Sequence, residues 1–235
     1  TPMALHTRNS DGVVSWRGKP VILKPYIAGK PLDILPEKLL PAIGRLLASI
    51  HSVPPPPNLS PQGRHLPRDW QEVLAILPCT PLYDELLSAS KALDAKEWKT
   101  LPRGFVHGDL FGDNLLLTDS DRLVVLDWET ATIEPFILDI GISAVAFCRT
   151  DGRFNKEGFF KLLAGYEERR PLGRKEQLLL LAAVRYANAM LAYHRYVRHN
   201  IRYPDPAKAD LYQELLDFAY RLPPSLGRTS DEKNI

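Results

Sequence analysis

The chain of 235 residues is 45% hydrophobic and carries 30 Lys and Arg against 28 Asp and Glu, for a formal net charge of +2. That is enough apolar material to bury a sizeable core, in one domain or two unequal lobes, and it excludes global disorder. With no long block of one charge, no apolar run of membrane-spanning length and no basic-then-apolar leader, nothing calls for nucleic acid or membrane as a partner.

Residues 13–16 and 20–24 are short β-prone runs separated by Arg17-Gly18-Lys19, which predicts a small antiparallel hairpin. Pro25-Tyr26-Ile27-Ala28-Gly29 breaks that pattern. From Pro36 onward, Leu39, Leu40, Ile43, Leu46, Leu47 and Ile50 keep helical spacing, and proline suits the first turn. The four prolines at 54–57 cannot continue a helix and read as a polyproline-like spacer or wall. Two further helices are expected over residues 69–77, capped by Asp69 and stopped before Pro78, and over residues 82–98. Cys79 and Cys148 are far apart without a CxxC or Cys/His spacing. A disulfide scaffold or zinc site has little support, and a reducing, cytoplasmic setting is expected.

Over residues 104–126 the pattern turns to β, at 105–106, 115–117 and 123–126, with Asp119-Ser120-Asp121 as a hairpin turn. Beyond Leu138 the chain returns to helices, the longest over residues 175–199, and it contains no internal repeat.

The charged residues that carry chemistry cluster in that β region. Asp109 stands five residues before Asn114, with His107 and Leu110 in register, matching the H-x-D-L-x-x-x-N spacing of a kinase catalytic loop. In such a loop Asp109 accepts the proton of a substrate hydroxyl and the Asn114 amide oxygen reaches a magnesium ion. Asp127 ends the strand over 123–126, so the hairpin returns it beside the loop as a second metal ligand. For Glu129, a water-mediated metal partner, a solvated carboxylate and a substrate contact all fit.

Other residues read as structural. A His-Gly-Asp tripeptide alone is usually a turn; with Asn114 and Asp127 the balance shifts to catalysis. The His107 ring is expected to fix the loop by hydrogen bonds, Asp113 to stabilise it or form an Asx turn, and His51 to be a hydrogen-bonded core histidine. Asp139 reads either as the N-cap of a helix over 140–147 or as a tether for the loop. Arg185, Tyr186, Tyr193, His194, Arg195 and Tyr196 form an aromatic and basic stripe that either walls a pocket or is an ordinary helix surface.

HGDLFGDN and LDWE, preceded by Leu101-Pro102-Arg103-Gly104, resemble the aminoglycoside phosphotransferase and choline kinase superfamily, and within it the bacterial homoserine kinases of protein-kinase-like fold. The similarity extends through Gly18-Lys19-Pro20, Ala28-Gly29, residues 44–51 and 163–171, and Asp205-Pro206. The resemblance implies an α+β, protein-kinase-like fold: a mostly helical C-lobe with a remnant of the β-rich N-lobe. It implies ATP and Mg2+, Asp109 as catalytic base, Asn114 and Asp127 as metal ligands, and an interlobe hinge where the Pro25 carbonyl and the Ile27 amide bind the adenine edge. Proline keeps its carbonyl, so Pro25 permits this.

The expected division is 1–24 as the N-lobe remnant, 25–30 as the hinge, 31–222 as the catalytic lobe and 223–235 as a flexible tail. In that family the phosphate-covering loop and the ATP-pairing lysine precede the last two strands of the small lobe. Only 19 residues precede Pro20, so the chain is expected to be a C-terminal portion of a kinase that turns over poorly alone. The expected activity is transfer of the ATP γ-phosphate to L-homoserine, a step of threonine biosynthesis. The alternatives are an aminoglycoside, choline or other amino-alcohol or sugar kinase, and a silent kinase-like binding module. Two intact metal ligands argue against the silent module. Oligomeric state and acceptor-selecting residues are not legible in the sequence.

Overall fold

The computed structural model describes residues 2–32, 35–59, 75, 77, 80–93 and 96–226. The helix expected over 69–77 and most of the tail expected over 223–235 lie outside the described residues. In chain order the first half contains β1 (Val14–Trp16), β2 (Lys19–Val21), β3 (Lys30–Pro31), a 3-10 turn (Glu37–Leu39), α1 (Leu40–His51), α2 (Pro81–Leu93) and α3 (Lys96–Lys99). Then come β4 (Arg103–Val106), a 3-10 turn (Gly112–Asn114), β5 (Leu115–Leu117), β6 (Leu123–Val125), β7 (Thr132–Pro135) and α4 (Phe136–Phe147). The last part holds β8 (Arg149–Thr150), β9 (Arg153–Phe154), α5 (Lys156–Glu167), α6 (Arg174–Tyr196), a π-helical turn (Val197–Arg202) and α7 (Gln213–Tyr220).

The first hairpin turns on two residues, Arg17 and Gly18, both with left-handed backbone at φ 49° and 74°. Such a two-residue turn matches the twist of antiparallel strands. Lys19 therefore pairs with Trp16, so β2 starts one residue earlier than expected and ends at Val21. β3 pairs with β5 and β5 with β6, all antiparallel, which lays the segment after Pro25–Ile27 directly against the chain that leaves the loop.

The main core is helical, with α1 packed on α5 and α4 on α6. Ile43, Leu47, Phe159 and Leu162 are fully buried between the first pair. That crossing is closed by glycine. A Cβ at Gly44 would overlap the Leu162 carbonyl, and one at Gly165 would overlap the Pro41 carbonyl. Backbone meets backbone there, so no side-chain rotation makes room.

Two expectations are corrected. β7 was not anticipated: Glu134 and Pro135 are poor strand formers, and pairing with β4 overrides that local preference. α4 begins at Phe136 rather than Ile140, with Pro135 in the cap position. Asp139 thus lies inside the first turn and is not an N-cap; its side chain is free to do something else.

Gly165→Ala is expected to cost about 1–3 kcal/mol, the range of overpacked cores. A urea denaturation midpoint equal to that of the parent protein would contradict the close helix crossing.

Candidate active site

β4 ends at Val106, and the chain then runs through His107, Gly108 and Asp109 into the 3-10 turn Gly112–Asn114. Gly108 has φ 78°, a backbone conformation open to glycine without strain. The peptide groups of this loop are held from beneath by Asp139, which is fully buried. Its Oδ2 accepts from the His107 amide at 3.0 Å and its Oδ1 from the Gly108 amide at 2.9 Å. His51 Nε2 donates to the same Oδ2 at 3.1 Å. Asp139 is therefore the tether of the loop, and His51 is the hydrogen-bonded core histidine expected.

The donors continue away from the site. With Nε2 donating, His51 Nδ1 accepts from the Tyr166 hydroxyl at 2.7 Å. That hydroxyl in turn accepts from Arg170 at 3.1 Å, and Arg170 is paired with buried Glu176 at 2.9 Å. Burial alone would keep the Asp139 carboxyl protonated. The hydrogen bonds from His51 and from the Gly108 amide outweigh it and hold the carboxyl below its ordinary range.

His107 joins the two halves of the site. Its Nε2 donates to the Leu126 carbonyl at 2.9 Å, and its Nδ1 accepts the Asp109 amide at 3.2 Å. These partners require the neutral Nε2–H tautomer, a scaffold role rather than an acid or base one. The Leu126 amide donates to the Asn114 carbonyl at 2.9 Å, and Thr130 Oγ1 donates to the His107 carbonyl at 2.9 Å. Asp127, next after Leu126, is thereby pinned beside Asn114. It has a left-handed φ of 48°, strained for a residue with a Cβ, and its Oδ1 accepts the Glu129 amide at 3.4 Å. Trp128 stacks on Phe105 and meets His107 edge-on, so it packs the loop from the side.

Asn114 Nδ2 donates to the Asp109 carbonyl at 2.8 Å and to Asp109 Oδ2 at 3.2 Å. Both partners are acceptors, so the amide oxygen is turned away from them. That oxygen and the exposed Asp127 carboxylate are hard donors of the kind magnesium takes. Among the described residues no three His, Cys, Asp or Glu side chains cluster as a metal cage. A site of one or two protein oxygens completed by phosphates and water matches the ordinary magnesium pattern. Burial pushes the half-buried Asp109 carboxyl up to about 6; Asp113 and Asp127 add to the rise, while His107 and the Asn114 hydrogen bond oppose it.

Pro25 is exposed and Ile27 half-buried, in an irregular segment between β2 and β3. Among the described residues, no hydrogen bond occupies the Pro25 carbonyl or the Ile27 amide. Two cavities flank the loop. One of about 210 Å3 is bordered by Asp109, Thr130, Ile142, Tyr186, Met190 and His194. The other, of about 460 Å3, is bordered by Phe111, Asp113, Phe147, Arg149, Leu191 and Arg195. The stripe on α6 is thus divided. Tyr186, His194 and Arg195 reach cavities, whereas Arg185 pairs with Glu85 and Tyr196 packs on Tyr212. Helical spacing alone did not separate these roles, and Arg149 carried no signal in the sequence.

Residues 2–172 match the family described as the phosphotransferase enzyme family. The chain belongs to that family. A homoserine kinase of Pseudomonas aeruginosa (strain LESB58) is 29% identical over 223 residues, which span 89% of this chain and 70% of that protein. A microcompartment-associated aminopropanol kinase superposes with a TM-score of 0.65 at 21% identity, covering 94% of this chain and 74% of its own. A spectinomycin phosphotransferase solved with ADP and spectinomycin gives a TM-score of 0.64 at 15% identity, covering 93% and 76%. The fold is the protein-kinase-like one of aminoglycoside phosphotransferases, with mixed helix and sheet, and among the described residues no helix is long and apolar enough to cross a membrane.

Asp139→Ala leaves two buried loop amides and His51 without their acceptor and is expected to cost about 3–5 kcal/mol. A folded-state value below the ordinary one means the carboxylate stabilises above pH ~4 and loses that effect as pH falls through the folded value. The gap in urea midpoints between parent and variant should therefore shrink in acid; a gap that widens would exclude the tether. In the metal-free protein the Asp109 carboxyl should titrate near pH 6 by carbon NMR. Asp127→Asn should lower that midpoint by removing a like charge, and an upward shift would contradict the electrostatics described.

Proposed function

We propose that this phosphotransferase moves the γ-phosphate of ATP to the hydroxyl of L-homoserine, with Asp109 as the catalytic base and Asn114 and Asp127 as the magnesium ligands. The observation that carries the reading is the Asn114 amide. Its nitrogen is committed to Asp109, which leaves its oxygen for a cation and the second carboxylate oxygen of Asp109 for an acceptor. Magnesium, when bound, supplies charge neutralisation on the phosphates. Asp109 takes the hydroxyl proton as that oxygen bonds to the γ-phosphorus and the bond to the ADP oxygen breaks. Its raised carboxyl value keeps it basic enough for this task near neutrality.

The Pro25 carbonyl and the Ile27 amide take the adenine edge, in a hinge over 25–30 between a remnant of the small lobe over 1–24 and the catalytic lobe over 31–222. The choice of homoserine is supported by the 29% identical homoserine kinase. A compact acceptor also suits a cavity of about 210 Å3 beside Asp109 better than an aminoglycoside does. A second reading has one observation in its favour: that same cavity is bordered by no Lys or Arg. An amino alcohol without a carboxylate, of the kind named for the aminopropanol kinase neighbour, is the acceptor it would suit.

Incubation with Mg-ATP and a panel of L-homoserine, choline, hydroxylysine and an aminoglycoside is expected to phosphorylate homoserine. Turnover of another member with none of homoserine would defeat the assignment. Asp109→Asn is expected to lower kcat by about 100-fold or more, the scale of general-base catalysis, with nucleotide affinity largely kept. Retained turnover would remove Asp109 from the base role.

A further inference from the structure

We propose that Arg149 and Arg195 hold the carboxylate of the acceptor and that Asp113 receives its ammonium group, so that the site selects a hydroxylated α-amino acid. The proposal rests on the reading of this site as a small-molecule kinase centre and names the residues that choose its acceptor. Three observations lead to it.

The first is position. The larger cavity is walled by Phe111, Gly112 and Asp113, the continuation of the loop that carries Asp109, and both cavities are bordered by Leu191. On α6, His194 borders the cavity at Asp109 and Arg195 the neighbouring one. A ligand anchored at the arginines with its hydroxyl at Asp109 would pass Leu191, the residue that the two cavities share.

The second is charge. Arg45, Arg170 and Arg185 are each paired with a glutamate at 3.2 Å or less. Arg149 and Arg195 border one cavity and, among the described residues, neither forms an ion pair. Arg195 is half-buried, and its guanidinium donates to the Leu211 carbonyl at 3.3 Å, which fixes its direction. Burial and the charge of Arg149 both disfavour its protonated form, and Glu214 opposes them from a distance beyond ion pairing. Two guanidinium groups that border one cavity, neither held in an ion pair, are a cost that an anion relieves, and the planar fork of arginine matches a carboxylate best.

The third is the opposite charge in the same cavity. Asp113 is exposed, and no ion pair takes it among the described residues. A cavity with two cations and one anion complements the carboxylate and ammonium of an amino acid. An amino alcohol would satisfy only Asp113.

The test measures binding and turnover of two probes, L-homoserine and 3-amino-1-propanol, which is the same acceptor without its carboxylate. By calorimetry, Arg149→Gln and Arg195→Gln are each expected to weaken homoserine by about tenfold or more, on the scale of a charge-assisted pair, and to leave 3-amino-1-propanol within about twofold. Glutamine keeps a donor for the Leu211 carbonyl, and Arg149 lies on a short surface strand, so at least one variant should keep the parent melting temperature. Homoserine phosphorylation with unchanged binding in both variants would overturn the subsite and leave the kinase reading standing. Arginine-dependent homoserine binding without phosphorylation would overturn the kinase reading and leave the subsite standing. Equal binding of the two probes by the parent chain would also overturn the subsite.

Discussion

A carboxylate with no access to solvent is costly unless every lone pair that matters is met, and Asp139 meets that condition by collecting the groups that shape the site. It sits within the first turn of α4, a helix already fixed against α6, and accepts from two consecutive loop amides and from His51. The loop cannot move without exposing those donors. Through Tyr166 and Arg170 the same chain of hydrogen bonds ends at Glu176, whose other oxygen accepts the Gly173 amide at the start of α6. The packing of four helices and the placing of one loop are thus a single polar arrangement, in which each member is needed by the next.

On that base the reactive groups are set by short-range bonds. His107 spends one ring nitrogen on the Asp109 amide and the other on the Leu126 carbonyl, and so spans the gap between Asp109 and the segment that brings Asp127. The strained backbone at Asp127 is stored on a chain held on both sides, by Leu126 to Asn114 and by Thr130 to His107. This is the distribution expected of a preorganised site, where rigid surroundings keep a few residues in less favourable conformations.

The cavities beside the loop draw on a wider part of the fold. The chemistry at Asp109 depends on the loop and the β5–β6 hairpin, whereas the cavity walls add residues of α4, β8, α6 and α7 to those of the loop.

Much of this was legible before any coordinates. The spacing of His107, Asp109 and Asn114 and the hairpin leading to Asp127 are local patterns, and local patterns survive in one dimension; the helices over 40–51 and 174–196 are legible for the same reason. β7 was not, since Glu134 and Pro135 argue against a strand until β4 lies beside them. The role of Asp139 stayed open between cap and tether because it depends on where residues thirty positions upstream come to rest. The arginines of the larger cavity come from β8 and α6, 46 positions apart in sequence. The sequence by itself determined the reaction-bearing loop, since its geometry is made by neighbours. Only the tertiary structure decided what holds that loop and which charged side chains border the cavities beside it, since those are set by side chains that packing alone brings together.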